Sequence, residues 1–171
     1  MTYSDEHECV FVHLIKTAGE SVCKALNMRK RHLMIRELVE MKISRWEKYM
    51  KFSIVRNPWD RFVSEYHYNL KKGIEPRSFK RAVMDLRGDR DKWKSSQFEW
   101  LSVDGKIAVD KVLRFENIAE EFYGLFGIKL PHVNKTKHEH YSDYYTKQTR
   151  DVISRVYSDD IEEWGYEYDQ P

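Results

Sequence analysis

Two short stretches hold the residues whose types and spacing could do chemistry. The first, from His13 to Ser21, reads HLIKTAGES and gathers Lys16, Thr17, Gly19 and Ser21 within six residues. A lysine, a flexible glycine, hydroxyls and a helix start are the physical parts of a phosphate cradle. The second, from Phe52 to Tyr66, reads FSIVRNPWDRFVSEY and sets Arg56 and Ser64 eight residues apart. An arginine at a strand's end and a hydroxyl on the exposed side of the next helix make a clamp for an anion. On these residues alone, an ordinary strand-to-helix junction with an arginine pairing an acid is an equal reading. The first loop is not a Walker phosphate loop, because Ile15 stands where that motif needs the glycine before its lysine.

The elements that must position these residues are legible from apolar runs and breakers. Cys9 to Ile15 is rich in β-branched and aromatic residues and reads as a buried strand. A helix follows over about Ser21 to Asn27, with Val22, Ala25 and Leu26 inward. The loop between them lies at a strand's carboxyl end, where open α/β sheets bind ligands. Phe52 to Val55 is a second strand. Asn57 then caps a helix that has Pro58 in its first position and Asp60 in its first turn. Helical spacing puts Trp59, Phe62, Val63, Tyr66 and Leu70 on one face, and leaves Asp60, Arg61 and Ser64 off it. Leu33 to Met41, Ser78 to Leu86 and Ser95 to Leu101 read as further helical segments, with Arg87 to Lys94 a charged loop. Val109 to Phe115 is a third strand. Asn117 caps a helix that ends at Gly127, and a last helix runs from about Lys147 to Tyr157. The alternation predicts an α/β domain spanning residues 1–171, with a small, mainly parallel sheet flanked by helices.

Composition narrows the function classes. The 171 residues carry 30 basic and 28 acidic side chains, so any anion site is local and the global charge does not suggest a nucleic-acid binder. Cys9 and Cys23 make no disulfide framework and read as reduced cytosolic thiols. The opening MTYSDEHE lacks the basic and apolar regions of a signal peptide, and nothing approaches a membrane span in apolar length. A soluble cytoplasmic protein is expected.

Taken together, the two motifs resemble those of the sulfotransferases. HLIKTAGES looks like their 5′-phosphosulfate loop, whose pattern is close to P-K-T-G-G-T-S, and VRNPWDRFVSEYHY looks like their 3′-phosphate motif. The resemblance runs on through HLMIREL, KVLRFENIAEEF and LPHVNKTKHEHYSDYYT to DDIEEWGYEY, nearly the whole chain. It is closest to the carbohydrate sulfotransferases related to the heparan 2-O-sulfating enzymes and their small soluble bacterial relatives. It implies a P-loop-like three-layer fold and the donor 3′-phosphoadenosine 5′-phosphosulfate, with no metal. It implies that Lys16 contacts the 5′-phosphate and the bridging oxygen. Backbone amides from Thr17 through Ala18, Gly19 and Glu20 to Ser21, with the Thr17 and Ser21 hydroxyls, would hold the 5′-phosphate. Arg56 and Ser64 would grip the 3′-phosphate, and Lys135 and Lys137 would close over the nucleotide. His32 aligns with the base histidine of the 2-O-sulfating enzymes, and Glu20 competes with it, because some relatives place a glutamate base soon after the first loop. The acceptor implied is a hydroxyl on a carbohydrate. The short chain leaves little room for a deep oligosaccharide cleft, which points to a small acceptor or a partner subunit.

Three positions depart from the pattern: Ile15 replaces a proline, Ala18 a glycine and Glu20 a hydroxyl residue. Alanine blocks the loop if position 18 must take a positive φ. Glu20 brings a negative charge toward an anion. These changes keep open the alternative of an inactive nucleotide-binding member of the fold, while the failed Walker pattern argues against a third reading, a small ATP-dependent phosphotransferase. His132, His138 and His140 have no partner spacing that matches a zinc site and read as solvated.

Overall fold

The computed structural model describes residues 2–42, 45–74, 78–86, 95–131 and 139–168. The chain forms two compact units, Met1–Arg56 with Gln97–Asn134, and Asn57–Ser96 with Lys135–Pro171.

In the first unit, strands β1 (Tyr3–Ser4), β2 (Cys9–Val12), β3 (Met50–Val55) and β6 (Lys111–Arg114) form one sheet in the order β1-β2-β3-β6. β2, β3 and β6 run parallel, with Val12 opposite Ser53 and Val55 opposite Arg114, while β1 pairs antiparallel to β2. This is the expected small, mainly parallel α/β sheet. Every residue of β2 is buried, the signature of a parallel strand covered on both faces. One face carries a cluster in which Cys9, Phe11, Phe52, Ile54 and Leu113 of the sheet meet Val22 and Cys23 of α1 (Gly19–Ala25), Leu26 just after it, and Phe122 of α6 (Ile118–Phe126). A second buried group is supplied by Ile35 and Leu38 of α2 (Ile35–Glu40) and Trp100 and Leu101 of α5 (Gln97–Leu101). β4 (Ser102–Val103) and β5 (Lys106–Ile107) form a hairpin whose turn uses positive φ at Asp104 and Gly105, the pattern of a two-residue hairpin loop.

The second unit is helical among its described residues: α3 (Pro58–Lys71), α4 (Phe79–Asp85), α7 (Lys147–Val156) and α8 (Ser158–Trp164). Asn57 caps α3 as expected, its side-chain oxygen accepting from the N–H groups of Trp59 at 3.1 Å and Asp60 at 3.3 Å.

The boundaries differ from expectation in instructive ways. β2 stops at Val12 rather than Ile15, because the chain turns into the loop two residues before Ile15. Arg61 and Ser64 are not on an exposed side of α3; they are 2% and 4% exposed, while Leu70, expected inward, is 39% exposed. The first two turns of α3 are buried nearly all round, so the simple stripe does not describe them. Burial of Arg61 is possible because Nη2 donates to the Ser95 carbonyl at 3.3 Å, the Asp160 carboxylate lies 3.9 Å away, and the guanidinium sits over the Tyr157 ring. Asn117 makes no side-chain capping bond to α6; residues 115–117 form a 3-10 turn instead, and Gly127 ends α6 at φ 68° as expected. The Arg87 to Lys94 loop expectation lies outside the described residues.

Candidate active site

The loop of the first motif leaves β2 at Val12 and enters α1 at Gly19. Lys16 and Ala18 both take left-handed backbone conformations, at φ 62° and 60°. Position 18 therefore does demand a positive φ, and alanine adopts it. An L-residue pays about 1–2 kcal/mol for that conformation, a strain the loop tolerates twice. Left-handed residues on either side of Thr17 turn successive peptide units so that N–H groups can converge on an anion, as in backbone nests.

The loop's own hydrogen bonds define what it can offer. The Thr17 side chain is fully buried and its hydroxyl donates to the Leu14 carbonyl at 3.1 Å, closing the turn from within. The N–H groups of Ser21 and Val22 go to the Ala18 carbonyl at 2.9 and 3.2 Å, as the first bonds of α1. Ser21 is buried. Gly19 is needed for closeness rather than for its φ: a Cβ there would come within 1.7 Å of His13 Nε2.

Arg56 follows β3 directly and is 7% exposed. Its backbone is clasped by the Gln97 side chain, which accepts from the Arg56 N–H and donates to the Arg56 carbonyl, both at 2.9 Å. Gln97 is fully buried at the start of α5. Arg56 Nη1 donates to the Lys16 carbonyl at 3.0 Å, and the guanidinium lies 4.0 Å from the Phe115 ring centroid. The two sequence motifs thus meet inside the first unit, through the arginine of one and the lysine backbone of the other. Ser64 lies in α3 of the second unit.

His32 stands in the segment between α1 and α2, half-buried. Its Nδ1 lies 3.2 Å from the His13 carbonyl oxygen. A carbonyl only accepts, so Nδ1 carries the hydrogen, and the neutral ring keeps its lone pair on Nε2. The His13 ring packs against it with centroids 4.1 Å apart. Burial, aided by the charges of His32 and Lys30, pulls the His13 imidazole down to about 3, so it is neutral at physiological pH. Glu20, in the first turn of α1, forms an ion pair with Lys30. Burial pushes the Cys9 thiol up to about 12 and raises Cys23 as well, which leaves both as unreactive core residues.

Lys16, Thr17, Ala18, Gly19, Glu20, Ser21, His32 and Arg56 therefore all belong to one compact unit. Lys135 and Lys137, expected over the nucleotide, lie outside the described residues, as do His132 and His138. His140 Nδ1 lies 2.8 Å from the Ser142 hydroxyl, where it helps start a 3-10 turn. No group of three or more His, Cys, Asp or Glu side chains suited to a metal ion occurs among the described residues. No helix among them is long and apolar enough to cross a membrane.

Gln97, Phe115 and His13 were not singled out by sequence reasoning. His13 had a signal, a polar residue interrupting the apolar run CVFVHLI. Gln97 had none, since its role rests on a contact 41 residues away in the chain.

The family model described as the sulfotransferase family matches residues 1–167. The chain belongs to the sulfotransferase family, and the chemistry that goes with that membership is transfer of a sulfuryl group. No individual curated protein matches the chain.

Ala18 gives a direct test of the loop geometry. Ala18→Gly is expected to raise the stability of the folded chain by about 0.5–1 kcal/mol, because glycine takes φ 60° without the Cβ strain. A urea midpoint that falls instead would show that the alanine methyl makes packing contacts worth more than the strain.

Proposed function

We propose that this sulfotransferase uses 3′-phosphoadenosine 5′-phosphosulfate as donor and sulfates a hydroxyl group on a carbohydrate. The observation that supports it best is the hydrogen bond from Arg56 Nη1 to the Lys16 carbonyl, which couples the two anion-binding motifs. The loop suits the donor's 5′ end. It offers a lysine, a backbone bent by two left-handed residues, and a glycine whose missing side chain lets the chain close on itself.

The donor supplies a sulfuryl group on a good leaving oxygen; positioning and charge do the rest. Lys16 neutralises negative charge gathering on the 5′-phosphate as the sulfur–oxygen bond breaks. Thr17 acts by holding the turn from inside, and its backbone amide, with those of Ala18 to Glu20, faces the task of binding the 5′-phosphate. Arg56 is the 3′-phosphate residue on this reading, and the sequence motif adds Ser64 to it. His32 Nε2 takes the proton of the acceptor hydroxyl as its oxygen bonds to sulfur. Glu20 places a carboxylate beside an anion loop, and Lys30 answers that charge. This compensation favours an active enzyme over a degenerate one.

Calorimetry with 3′,5′-adenosine bisphosphate, AMP and ATP tests the donor. The bisphosphate should bind at least about tenfold more tightly than AMP, a difference of about 1.4 kcal/mol. Equal affinities would remove the 3′-phosphate clamp, and tight binding without transfer to any of a broad panel of saccharides would assign the chain to the inactive class.

The base is tested by variants. His32→Ala should cut turnover by roughly 10²–10⁴-fold, with bisphosphate binding unchanged. Turnover that survives His32→Ala but is lost in Glu20→Gln would move the role to Glu20.

A further inference from the structure

His13 has no part in the chemistry above, yet it is a buried imidazole at the mouth of the loop. It is 3% exposed, and its Nδ1 has no hydrogen-bond partner. Such an atom opposes folding, so an apolar side chain would suit the end of β2 better if packing were the only requirement. The ring's surroundings are specific. It stacks on Phe11 with centroids 5.3 Å apart and lies 4.1 Å from the His32 ring at a tilt of 39°. On the loop side it fills the space a Gly19 Cβ would need, with Nε2 only 1.7 Å from that position. The same residue's carbonyl accepts the His32 Nδ1 hydrogen at 3.2 Å. His13 therefore touches His32 at two points and the first residue of α1 at a third.

We propose that His13 is a positioning residue for His32. Its carbonyl fixes the tautomer that leaves the Nε2 lone pair to accept a proton, and its ring, wedged against the Gly19 backbone, fixes the plane of the His32 imidazole relative to the loop. The inference rests on His32 being the base. Because His13 stays neutral, it neither competes for the acceptor proton nor repels the imidazolium that His32 becomes. Glycine at position 19 is then a requirement of the base's support as well as of the loop.

The test reads tautomer and turnover together, on the full chain labelled with ¹⁵N at histidine, with His32 assigned by difference against His32→Gln. Wild-type His32 should show the Nδ1–H form when neutral. His13→Leu keeps the backbone carbonyl but removes the ring that holds the His32 imidazole in line with it. The His32 signals should therefore move toward a mixture of tautomers, and kcat should fall roughly tenfold or more while donor KM stays unchanged. His13→Gln, which keeps a flat polar head, should recover part of that loss. A merely structural role for His13 would lower stability without changing the tautomer. The proposal is overturned if wild-type His32 carries its hydrogen on Nε2. It is overturned equally if a folded His13→Leu or His13→Gln chain keeps both the wild-type tautomer and the wild-type kcat. Should the leucine variant not fold, the wild-type spectrum and the glutamine variant decide. Full turnover in His32→Gln would instead sink the base assignment, while the tautomer spectra would still report whether His13 holds the ring.

Discussion

The hydrogen bond from Arg56 to the Lys16 carbonyl is the contact that joins the two motifs, and the proposed anion site depends on it. It exists because β2 and β3 are parallel neighbours in a fixed register, so the loops at their carboxyl ends leave the sheet side by side. The guanidinium also lies over the Phe115 ring, just past the end of β6, so three adjacent strand ends converge on one side chain. Gln97 holds the arginine's backbone where the ladder stops, pairing with both its N–H and its C=O. Arg56 thus braces the lysine loop and, in the function proposed above, binds an anion as well; a bidentate guanidinium can do both where a lysine could not.

A second constraint is steric. Gly19, His13 and His32 are stacked so closely that each fixes the next: the glycine admits the imidazole, and the imidazole supports the half-buried histidine. Strain is accepted at Lys16 and Ala18 in the same loop. Two left-handed non-glycine residues, one unpaired buried nitrogen and one close approach within seven residues are the mark of a segment kept for function rather than for stability.

Much of this was legible in the sequence. The parallel α/β class, the three long strands, the Asn57 cap with Pro58 and the Gly127 helix end follow from local rules of periodicity and capping, and the structure has them. The residue types and spacing of the Lys16 loop and Arg56 pointed to one common site, and the structure brings Arg56 Nη1 to the Lys16 carbonyl, while their roles toward a ligand belong to the proposal. What could not be read was non-local. Arg61 and Ser64 fall off the apolar stripe of α3, yet burial against Ser95, Tyr157 and Asp160 makes Arg61 interior, and no window of a helix's own length contains that information. The short strands β1, β4 and β5 have two residues each, too few for alternation to show. The left-handed Ala18 was a question the sequence could only pose, since its answer depends on where Thr17 and Gly19 are anchored.

If Arg56 braces the lysine loop, removing it must weaken a ligand that has no 3′-phosphate at all. The most direct measurement is calorimetric binding of AMP to Arg56→Leu and to the wild-type chain. Binding at least about tenfold weaker in the variant, about 1.4 kcal/mol, is the result the brace requires. An AMP affinity unchanged by the substitution would contradict it, and would leave Arg56 as a 3′-phosphate ligand with no hand in the loop.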